Sequence, residues 1–261
     1  MSYVLRIYLP ALIAGPFALY HTITTGLWPG VILLWALISG LGIAVGFHRV
    51  YSHRTHDLKP WLDTIILLFG TLGGQGSSIS WTAVHRGYHH PHSDTDRDLH
   101  SPSKGFWSAF IGWYWRMTPD TINHKYAVDL LRKPLHVMLH KRYTGFLWTV
   151  VAALAVTDIL LGTSTLSLYL SALFISLLQD NLVNTLCHQP NLGYRNWRLR
   201  DNSNNFWPLG YFGWGQGWHE NHHESPARFN FGRRWWEIDP ALIFLPLLRL
   251  GSRYERPSSR A

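Results

Sequence analysis

Three short groups of histidine are the residues of this chain best suited to chemistry. Along the chain their spacings are H-x4-H, H-x3-HH and H-x2-HH. They are His48 and His53; His85, His89 and His90; and His219, His222 and His223. Imidazole nitrogen binds iron, zinc, copper and nickel. Each group alone has an ordinary alternative, because basic segments beside a membrane contact lipid headgroups and a histidine-rich loop is often solvated and pH-sensitive.

A ninth histidine closes an apolar run. Asp180, Asn184 and His188 are spaced four apart, so on a helix they lie along one face. Ionisable groups at membrane depth are costly and usually face the protein interior. A single histidine in that position is more often a core residue than a ligand. His188 therefore becomes a candidate ligand only if the fold brings the three groups beneath the same helix.

The distribution of charge predicts the elements that position these residues. Residues 7–47 contain no Asp, Glu, Lys or Arg, and residues 143–179 contain only Asp158. A membrane helix needs about 20 apolar residues, so each stretch accommodates two passes. A soluble protein with long buried helices is the alternative, but few soluble proteins have paired charge-free stretches of this length. The predicted spans are 7–27, 28–47, 143–161 and 165–188.

The positions of Lys and Arg predict the orientation of these spans. All 23 lie at Arg6, between Arg49 and Arg142, or from Arg195 onward. The positive-inside rule therefore places the N-terminus, residues 48–142 and residues 189–261 on the cytoplasmic side. The predicted fold is an all-α membrane protein. Its four transmembrane helices form two hairpins, and a cytoplasmic helical cap carries the histidine-rich site, all within one domain that covers residues 1–261.

Two further apolar stretches are not predicted to cross the membrane. Residues 64–84 carry no formal charge, but their centre is rich in Gly and Ser. We expect a re-entrant or interfacial segment there, since irregular backbone is tolerated where it is buried in protein. Residues 105–117 are aromatic and too short to span, as in an amphipathic interfacial segment. With this topology all three histidine groups lie on one face of the membrane.

Nine histidines on one membrane face are more than one metal ion uses, so we expect two ions. Two four-coordinate zinc ions with this many ligands would leave little room for a substrate. The single Cys187 excludes a site built from several thiolates. A two-iron, oxygen-activating centre is therefore favoured. The net charge of +8 forms no contiguous patch or known module, so nucleic-acid binding is not expected.

These motifs resemble the integral-membrane fatty acid desaturase family, in its acyl-CoA Δ9 (stearoyl-CoA-type) branch. The resemblance covers nearly the whole chain, with the closest matches at 46–54, 92–98, 217–223 and 234–240. It implies that Asn184 holds an iron-bound water and that Gln75 and Trp81 line a substrate tunnel. The two irons would be ligated by His48, His53, His85, His89, His90, His188, His219, His222 and His223.

The resemblance also implies an activity and its partners. The expected enzyme is an O2-dependent oxidoreductase that introduces a cis double bond, most simply at Δ9, into a saturated acyl chain carried by CoA or by a lipid. Electrons would come from a separate ferredoxin, or from cytochrome b5 with its reductase, because the chain contains no His-Pro-Gly-Gly motif of a fused cytochrome b5 domain. The expected location is the bacterial inner membrane or the endoplasmic reticulum.

Two other functions remain as alternatives at this point. A related membrane di-iron hydroxylase or alkane monooxygenase has similar histidine groups and inserts oxygen into its product. A non-catalytic metal transporter or sensor is the alternative from another class, although transporters usually place their ligands near the membrane midplane.

The chain departs from the family pattern in its second histidine group. This group has one extra residue, Tyr88, so either His85 or His92 completes it. Ala83 also replaces an arginine that contacts CoA in animal members. This difference leaves open an acyl chain carried by a lipid or by a carrier protein. Glu220 and Gln216 stand where Asn and Glu are common, and neither position is a ligand in the family pattern.

Overall fold

Long apolar helices dominate the computed structural model, which describes residues 4–118 and 121–255. The helices that position the candidate site are α1 (Leu5–Thr24), α2 (Trp28–Ser52), α3 (Pro60–Leu72), α4 (Ser78–Val84), α5 (Pro134–Leu161), α6 (Thr165–Leu186) and α7 (His219–Glu224). Of these, α1, α2, α5 and α6 are long and apolar enough to cross a membrane. A mostly helical protein with four candidate membrane helices is thus confirmed. The hairpins, the cytoplasmic cap and the location of the termini, which lie outside the described residues, remain predictions.

Helix α1 runs from Leu5 to Thr24 instead of from residue 7 to residue 27, and three other helix ends also differ from the predicted bounds. Helix α2 continues to Ser52 instead of ending at residue 47, and from Ala36 onward it is a wider, π-type helix. Helix α5 begins at Pro134 instead of residue 143, since a proline in the first turn needs no N–H partner. Helix α6 ends at Leu186, so His188 lies in the following turn. The prediction that His188 shares a helical face with Asp180 is therefore wrong in its local geometry.

Glycine allows α2 and α3 to pack with their backbones in contact. A Cβ atom added at Gly42 would lie 2.4 Å from the backbone nitrogen of Gly70, so no larger residue fits there without separating the helices. Helices α1 and α6 also pack closely, with Gly15 of α1 against the ring of Phe174. Close approach at small residues is the usual packing mode of membrane helices.

Helices α3 and α4 form a short excursion that returns to the end at which it began. Helix α3 has 13 residues, too few for a span. The chain then turns through Gly74 and Gly76, whose φ angles of 72° and 104° favour glycine. The Tyr51 hydroxyl donates to the carbonyl of Asp63 near the start of α3, and His85 after α4 lies beside His53. The re-entrant or interfacial placement expected over 64–84 stays a prediction.

The remaining helical segments are short and lie mostly between or after the long helices. They are His85–His89, His90–His92, Pro102–Lys104, Ser108–Gly112, Trp113–Arg116, His124–Ala127, Val128–Leu131, Trp207–Phe212, Pro240–Phe244 and Leu245–Gly251. A small antiparallel sheet, absent from the predicted all-α fold, pairs β1 (His56–Leu58) with β2 (Ser252–Glu255). It joins the segment after the first histidine pair to the end of the chain.

A buried ion pair fixes the end of α2 against the C-terminal segment. The Arg49 guanidinium donates to Asp239 Oδ2 at 2.8 Å, and both side chains are completely buried. It also donates to the carbonyl of Phe229 and stacks on the ring of Phe231. Charged groups at this depth are stable only with such partners. The pair therefore holds the first histidine pair next to the segment that follows α7.

Candidate metal centre

The nine histidines predicted as ligands converge in two adjoining groups. The five-histidine cluster consists of His48, His53, His85, His90 and His222, and the four-histidine cluster consists of His89, His188, His219 and His223. Within each cluster, one nitrogen from every ring lies within 4.8 Å of the others. Residues that are more than 170 positions apart in the chain thus meet at one place. As a ligand set, the nine remain a prediction.

The rings of the five-histidine cluster point their Nε2 atoms at one another. The Nε2 atoms of His48 and His222 are 2.9 Å apart, and those of His53 and His85 are 2.8 Å apart. His90 Nε2 lies 3.0 Å from His85 Nε2 and 3.0 Å from His222 Nε2. These separations suit neighbouring ligands that each lie about 2.1 Å from a shared ion.

The four-histidine cluster has the same convergence and, in addition, a complete outer layer of acceptors. Nε2 of His188 lies 2.9 Å from that of His219, and Nε2 of His223 lies 3.2 Å from those of His89 and His219. On the far side of each ring, Nδ1 faces an oxygen at 3.1 or 3.2 Å. The pairs are His89 with Asp98, His188 with Asp94, His223 with Asp201, and His219 with the carbonyl of Gln216.

These contacts fit a bound cation better than an empty cluster. An oxygen acceptor at Nδ1 keeps the proton on that atom, so Nε2 presents a lone pair. Lone pairs about 3 Å apart repel unless a cation lies between them. Outer acceptors of this kind orient histidine ligands and raise their basicity. In the five-histidine cluster, by contrast, Nδ1 of His48 and of His222 is buried without a hydrogen-bond partner in the described chain.

A π-type turn explains how the lengthened second group still brings its histidines to the clusters. The backbone N–H of His90 donates to the carbonyl of His85, five residues earlier, so the helix is locally wider. This turn accommodates Tyr88 and brings the His85 and His90 rings together edge to face, with their centroids 4.6 Å apart. His85 thereby lies in the five-histidine cluster, whereas His92 belongs to neither cluster in the described chain.

The first pair uses the same device. The backbone N–H of His53 donates to the carbonyl of His48 at 3.1 Å, again five residues apart. The H-x4-H spacing therefore occurs twice, at 48/53 and at 85/90, and each time both rings face the same cluster. Two histidines five apart point in similar directions on this wider helix.

The second and third groups each divide between the clusters. On a regular α-helix His85, His89 and His90 would share one side and could reach one ion, but in this structure His89 faces the four-histidine cluster. On α7, His219 and His223 face that cluster as well, while His222 faces the other. Because each group contributes to both clusters, α7 and the segment after α4 bridge the two sites.

Burial keeps most of these rings neutral. Burial, reinforced by neighbouring imidazoles, lowers the pKa of His53, His85, His89, His219, His222 and His223. It lowers the pKa of His90 to about 3. Burial acts in the same direction on His188, but the hydrogen bond and charge of Asp94 outweigh it and raise the pKa of that ring. Neutral imidazole is the form that binds a metal.

A narrow cavity lies beside both clusters and contains the residues predicted to line a tunnel. Gln75, Trp81 and Asn184 line it together with His48 and His219. The Trp81 indole donates to Gln75 Oε1 at 3.2 Å, and its ring stacks on His85. Half of the other lining residues are apolar or aromatic, namely Val84, Trp113, Tyr114, Met117 and Val183. Such a cavity suits a slender, apolar ligand.

Asp180 connects the cavity wall to His219, a predicted ligand, and the sequence offered no role for this carboxylate. Its carboxylate accepts hydrogen bonds from the side chains of Gln75 and Gln216. The carbonyl of Gln216 in turn accepts from His219 Nδ1. The only signal in the sequence was the four-residue spacing of Asp180 before Asn184, which did not reveal either glutamine partner.

Other departures from the family pattern have structural explanations. Glu220 is buried and accepts hydrogen bonds from the backbone N–H groups of Asn196 and Trp197. It therefore braces the loop after α6 and does not face a metal. Ala83 is buried as well, and its methyl side chain offers no cation to a substrate. His100 packs on His89, with ring centroids 4.5 Å apart, and shares Asp98 with it.

Comparison with known proteins identifies related chains. A sequence profile for fatty acid desaturases matches residues 26–246. The sn-1 stearoyl-lipid 9-desaturase of Anabaena variabilis is 34% identical over 84% of this chain and 79% of its own length. The Delta-9 acyl-lipid desaturase 1 of Arabidopsis thaliana is 34% identical over 88% and 77%, respectively. The sn-2 palmitoyl-lipid 9-desaturase of Nostoc sp. (strain 36) is 35% identical over 84% and 76%.

Proposed function

The chain belongs to the fatty acid desaturase family, and on that premise we propose that it introduces a cis double bond at the Δ9 position of a saturated acyl chain carried by a membrane lipid. One structural observation carries the proposal: nine imidazoles converge in two clusters beside a narrow cavity whose wall combines histidines with apolar and aromatic side chains. An unactivated C–H bond needs a strong oxidant, and a dry, shaped cavity protects that oxidant from side reactions.

We assign one iron to each cluster. The five-histidine cluster holds one ion, and the four-histidine cluster, oriented by Asp94, Asp98 and Asp201, holds the other. When bound, the iron pair supplies the O2-dependent oxidation. One hydrogen leaves each of two adjacent methylenes, and with two electrons and two protons from outside, O2 becomes two molecules of water. Asn184 lines the cavity and would hold a metal-bound water molecule there.

The chain's own residues position the substrate and exclude water. Trp81, Gln75 and Asp180 form a continuous hydrogen-bonded wall, so the bend of the acyl chain is fixed by a rigid surface. Each partner in this wall is buried or half-buried and satisfied by another. Buried polar networks of this kind are stiff because breaking one contact leaves an unpaired group. A stiff wall places one pair of methylenes next to the clusters.

The carrier of the acyl chain is a lipid in this proposal. The relatives described above are named for lipid-linked substrates. The buried Ala83 also lacks the cation that a CoA thioester meets at this position in animal members. Electrons come from a separate ferredoxin or cytochrome b5 system, which docks on the face that carries the clusters.

Expression in a host without its own Δ9 desaturase tests the proposal. Fatty acids are extracted from each lipid class, and double bonds are located by mass spectrometry of derivatised esters. We expect new Δ9 monounsaturated chains in lipids from cells that express the chain. The His188→Ala variant, present in the membrane at the same level, should produce none. Unsaturated product from that variant would contradict the assigned ligand set.

The same extracts distinguish the related alternatives. A hydroxylase yields products that have gained oxygen, whereas a desaturase yields products that have lost two hydrogens. A metal transporter or sensor yields neither, and its purified form would hold an exchangeable ion without O2 consumption. Two irons per chain together with O2-dependent product support the desaturase.

A further inference from the structure

A second, wider cleft lies apart from the metal centre. It encloses about 350 Å³ and lies between the start of α1, the middle of α4 and the first part of α5. Apart from Ile122, its lining residues are basic, hydroxylic or small, whereas the cavity at the clusters is lined by several bulky apolar and aromatic side chains. The residues that carry its chemistry are Arg6, Ser80, His124, His140, Lys141 and Arg142.

The cleft carries positive charge that the protein does not neutralise. Arg6, Lys141 and Arg142 are exposed, and none of them forms an ion pair within residues 4–118 and 121–255. None of the residues that line the cleft is acidic. Three unpaired cations around one concave surface attract an anion, and guanidinium and ammonium groups are the usual partners of phosphate.

Two histidines add neutral hydrogen-bonding groups at the inner wall of the cleft. The rings of His124 and His140 are 5.0 Å apart. His140 Nδ1 is bonded to the hydroxyl of Ser77 at 2.7 Å, which fixes the orientation of its ring. Nε2 of His124 is buried without a hydrogen-bond partner in the described chain. Burial lowers the pKa of His124, so this ring contributes a hydrogen bond and not a charge at neutral pH.

A break in α5 shapes the cleft. The backbone at Arg142 leaves the helical conformation, with φ −111° and ψ 16°. As a result, the six consecutive residues 140–145 all line the cleft. A regular helix would distribute six consecutive side chains around its circumference. The break therefore turns Lys141 and Arg142 towards one site.

The cleft and the cavity beside the metal clusters share a wall. Ser80 lines the cleft, and the next residue, Trp81, lines the cavity. On the opposite side, the Tyr143 hydroxyl in the cleft accepts from the backbone N–H of Gly76, which follows Gln75 of the cavity. A ligand whose polar end occupied the cleft would therefore have its attached chain beside the entrance to the cavity.

We propose that this cleft binds the phosphate of the substrate's headgroup. The enzyme then acts on acyl chains of glycerophospholipids in preference to those of uncharged galactolipids. This inference rests on the proposed function. Arg6, Lys141 and Arg142 hold the phosphate oxygens, and His124 donates or accepts one hydrogen bond at the inner wall. The phosphate anchors the glycerol backbone at a fixed distance from the clusters. Anchoring of that kind sets which methylenes reach the metals.

Binding measurements on the purified, iron-loaded protein test the inference. The probes are dihexanoyl phosphatidylglycerol, dihexanoyl monogalactosyl diacylglycerol, inorganic phosphate and CoA, each titrated below its micellar concentration where it has one. Tryptophan fluorescence or calorimetry reports binding without any turnover. The variants are Arg142→Gln and Lys141→Gln, and Arg132→Gln is the matched control, an exposed arginine on the same basic surface that does not line the cleft.

We expect the phospholipid to bind at least tenfold more tightly than the galactolipid. Each cleft variant should weaken phospholipid binding by about tenfold, the effect of losing about 1.4 kcal/mol. Arg132→Gln should leave binding unchanged, which separates the cleft from general attraction to the basic surface. All variants should retain two irons, because the substituted side chains are exposed.

Three outcomes would overturn the inference. They are equal binding of the two lipids, equal effects of Arg142→Gln and Arg132→Gln, and tighter binding of CoA or free phosphate than of the phospholipid. Failure of the proposed function looks different, since the wild-type chain would then form no unsaturated product in any lipid class. Product formation with no headgroup preference would leave the desaturase assignment intact and exclude the role of the cleft.

Discussion

The carboxylate of Asp94 is the sharpest test of the four-histidine cluster, because it contacts a proposed ligand without being one. Asp94 Oδ2 accepts from His188 Nδ1 at 3.2 Å and from the backbone N–H of Asn202 at 2.6 Å. Its side chain is only 7% exposed, so water does not readily replace it. The contact keeps the His188 proton on Nδ1 and leaves Nε2 for the metal. Removal of this carboxylate should therefore weaken iron binding without deleting a ligand.

The backbone at Asp94 decides which substitution is informative. Its φ angle is 61°, in the left-handed region that Asp, Asn and Gly tolerate and Ala does not. Asp94→Ala would add backbone strain to the loss of the carboxylate, whereas Asp94→Gly removes only the side chain. Asp94→Asn keeps the shape and one acceptor oxygen but loses the charge. The exposed Asp96, two residues further on, provides the matched control as Asp96→Gly.

The expected magnitude follows from the role of such partners at metal sites. Loss of a group that orients a histidine ligand typically lowers metal affinity by about 10- to 100-fold. At about 1.4 kcal/mol per factor of ten, this is roughly 1.4 to 2.8 kcal/mol. We expect Asp94→Gly to show the full effect and Asp94→Asn a smaller one. Asp96→Gly should match the wild type, since its carboxylate meets no ligand.

Competition with a chelator measures the affinity directly. Iron-loaded protein in detergent is equilibrated with rising chelator concentrations, and the iron that remains per chain is counted. In Asp94→Gly, one iron should leave at a lower chelator concentration and the other at the wild-type concentration, because His188 serves only one cluster. Release of both irons from Asp94→Gly at unchanged concentrations would refute the assignment of His188 as a ligand. Earlier loss of both together would refute the division into two sites.

Three further predictions follow from buried groups elsewhere in the chain. Asp239→Asn leaves the Arg49 guanidinium buried without its counter-charge, so the free energy of unfolding should fall by about 3–5 kcal/mol, seen as a lower melting temperature in detergent. Gly42→Ala forces a methyl group against the backbone of α3 and should lower the free energy of unfolding by about 1–3 kcal/mol. A Cβ added at Gly145 meets nothing within 4 Å, so Gly145→Ala should leave the protein equally stable or more stable. Burial lowers the pKa of His90 to about 3, whereas in the unfolded chain this ring titrates near pH 6.5. At about pH 5 the unfolded chain therefore binds a proton that the folded chain does not, and the iron-free protein should melt at a lower temperature there than at about pH 7.5. An unchanged melting temperature in any of these comparisons, apart from the Gly145 control, would contradict the stated cause.

The sequence was most informative where a pattern was local. Charge-free stretches predicted the four long helices, and the spacing of the histidines selected eight of the nine that converge, while the family resemblance added His188. It was less informative at helix ends. The extension of α2 to Ser52 depends on a π-type helix, which has no strong sequence signal and forms where packing requires it. The division of the second and third groups between two clusters likewise depends on how α7 packs on the segment after α4.

Contacts between distant segments explain what the sequence could not show. Asp180 meets Gln75, 105 positions earlier, and Gln216, 36 positions later, and neither partner can be inferred from spacing along one helix. At the position of Gln216 the family commonly has Glu. In this chain the carboxylate of Asp180 supplies the negative charge that Gln216 lacks. Loss of the Asp180 carboxylate alone would leave the buried Gln216 amide without its acceptor, and loss of the Gln216 amide alone would leave the buried carboxylate with one donor fewer. The two residues are therefore best understood as one hydrogen-bonded unit.

The wider turns suggest why the length of a histidine group is a poor guide to its ligands. On an α-helix, residues four apart share a face, as His219 and His223 do on α7. On the π-type turns, residues five apart do so, as at 48/53 and 85/90. An inserted residue that converts one turn into the other adds a position without rotating the flanking ligands away from the site. Tyr88 is held in this place by its hydroxyl, which donates to the carbonyl of Thr121 and accepts from the N–H of Asn123. Tyr88 thus connects residues 121–123 to the histidine clusters. These two hydrogen bonds offset the free energy lost by widening the helix at the inserted residue.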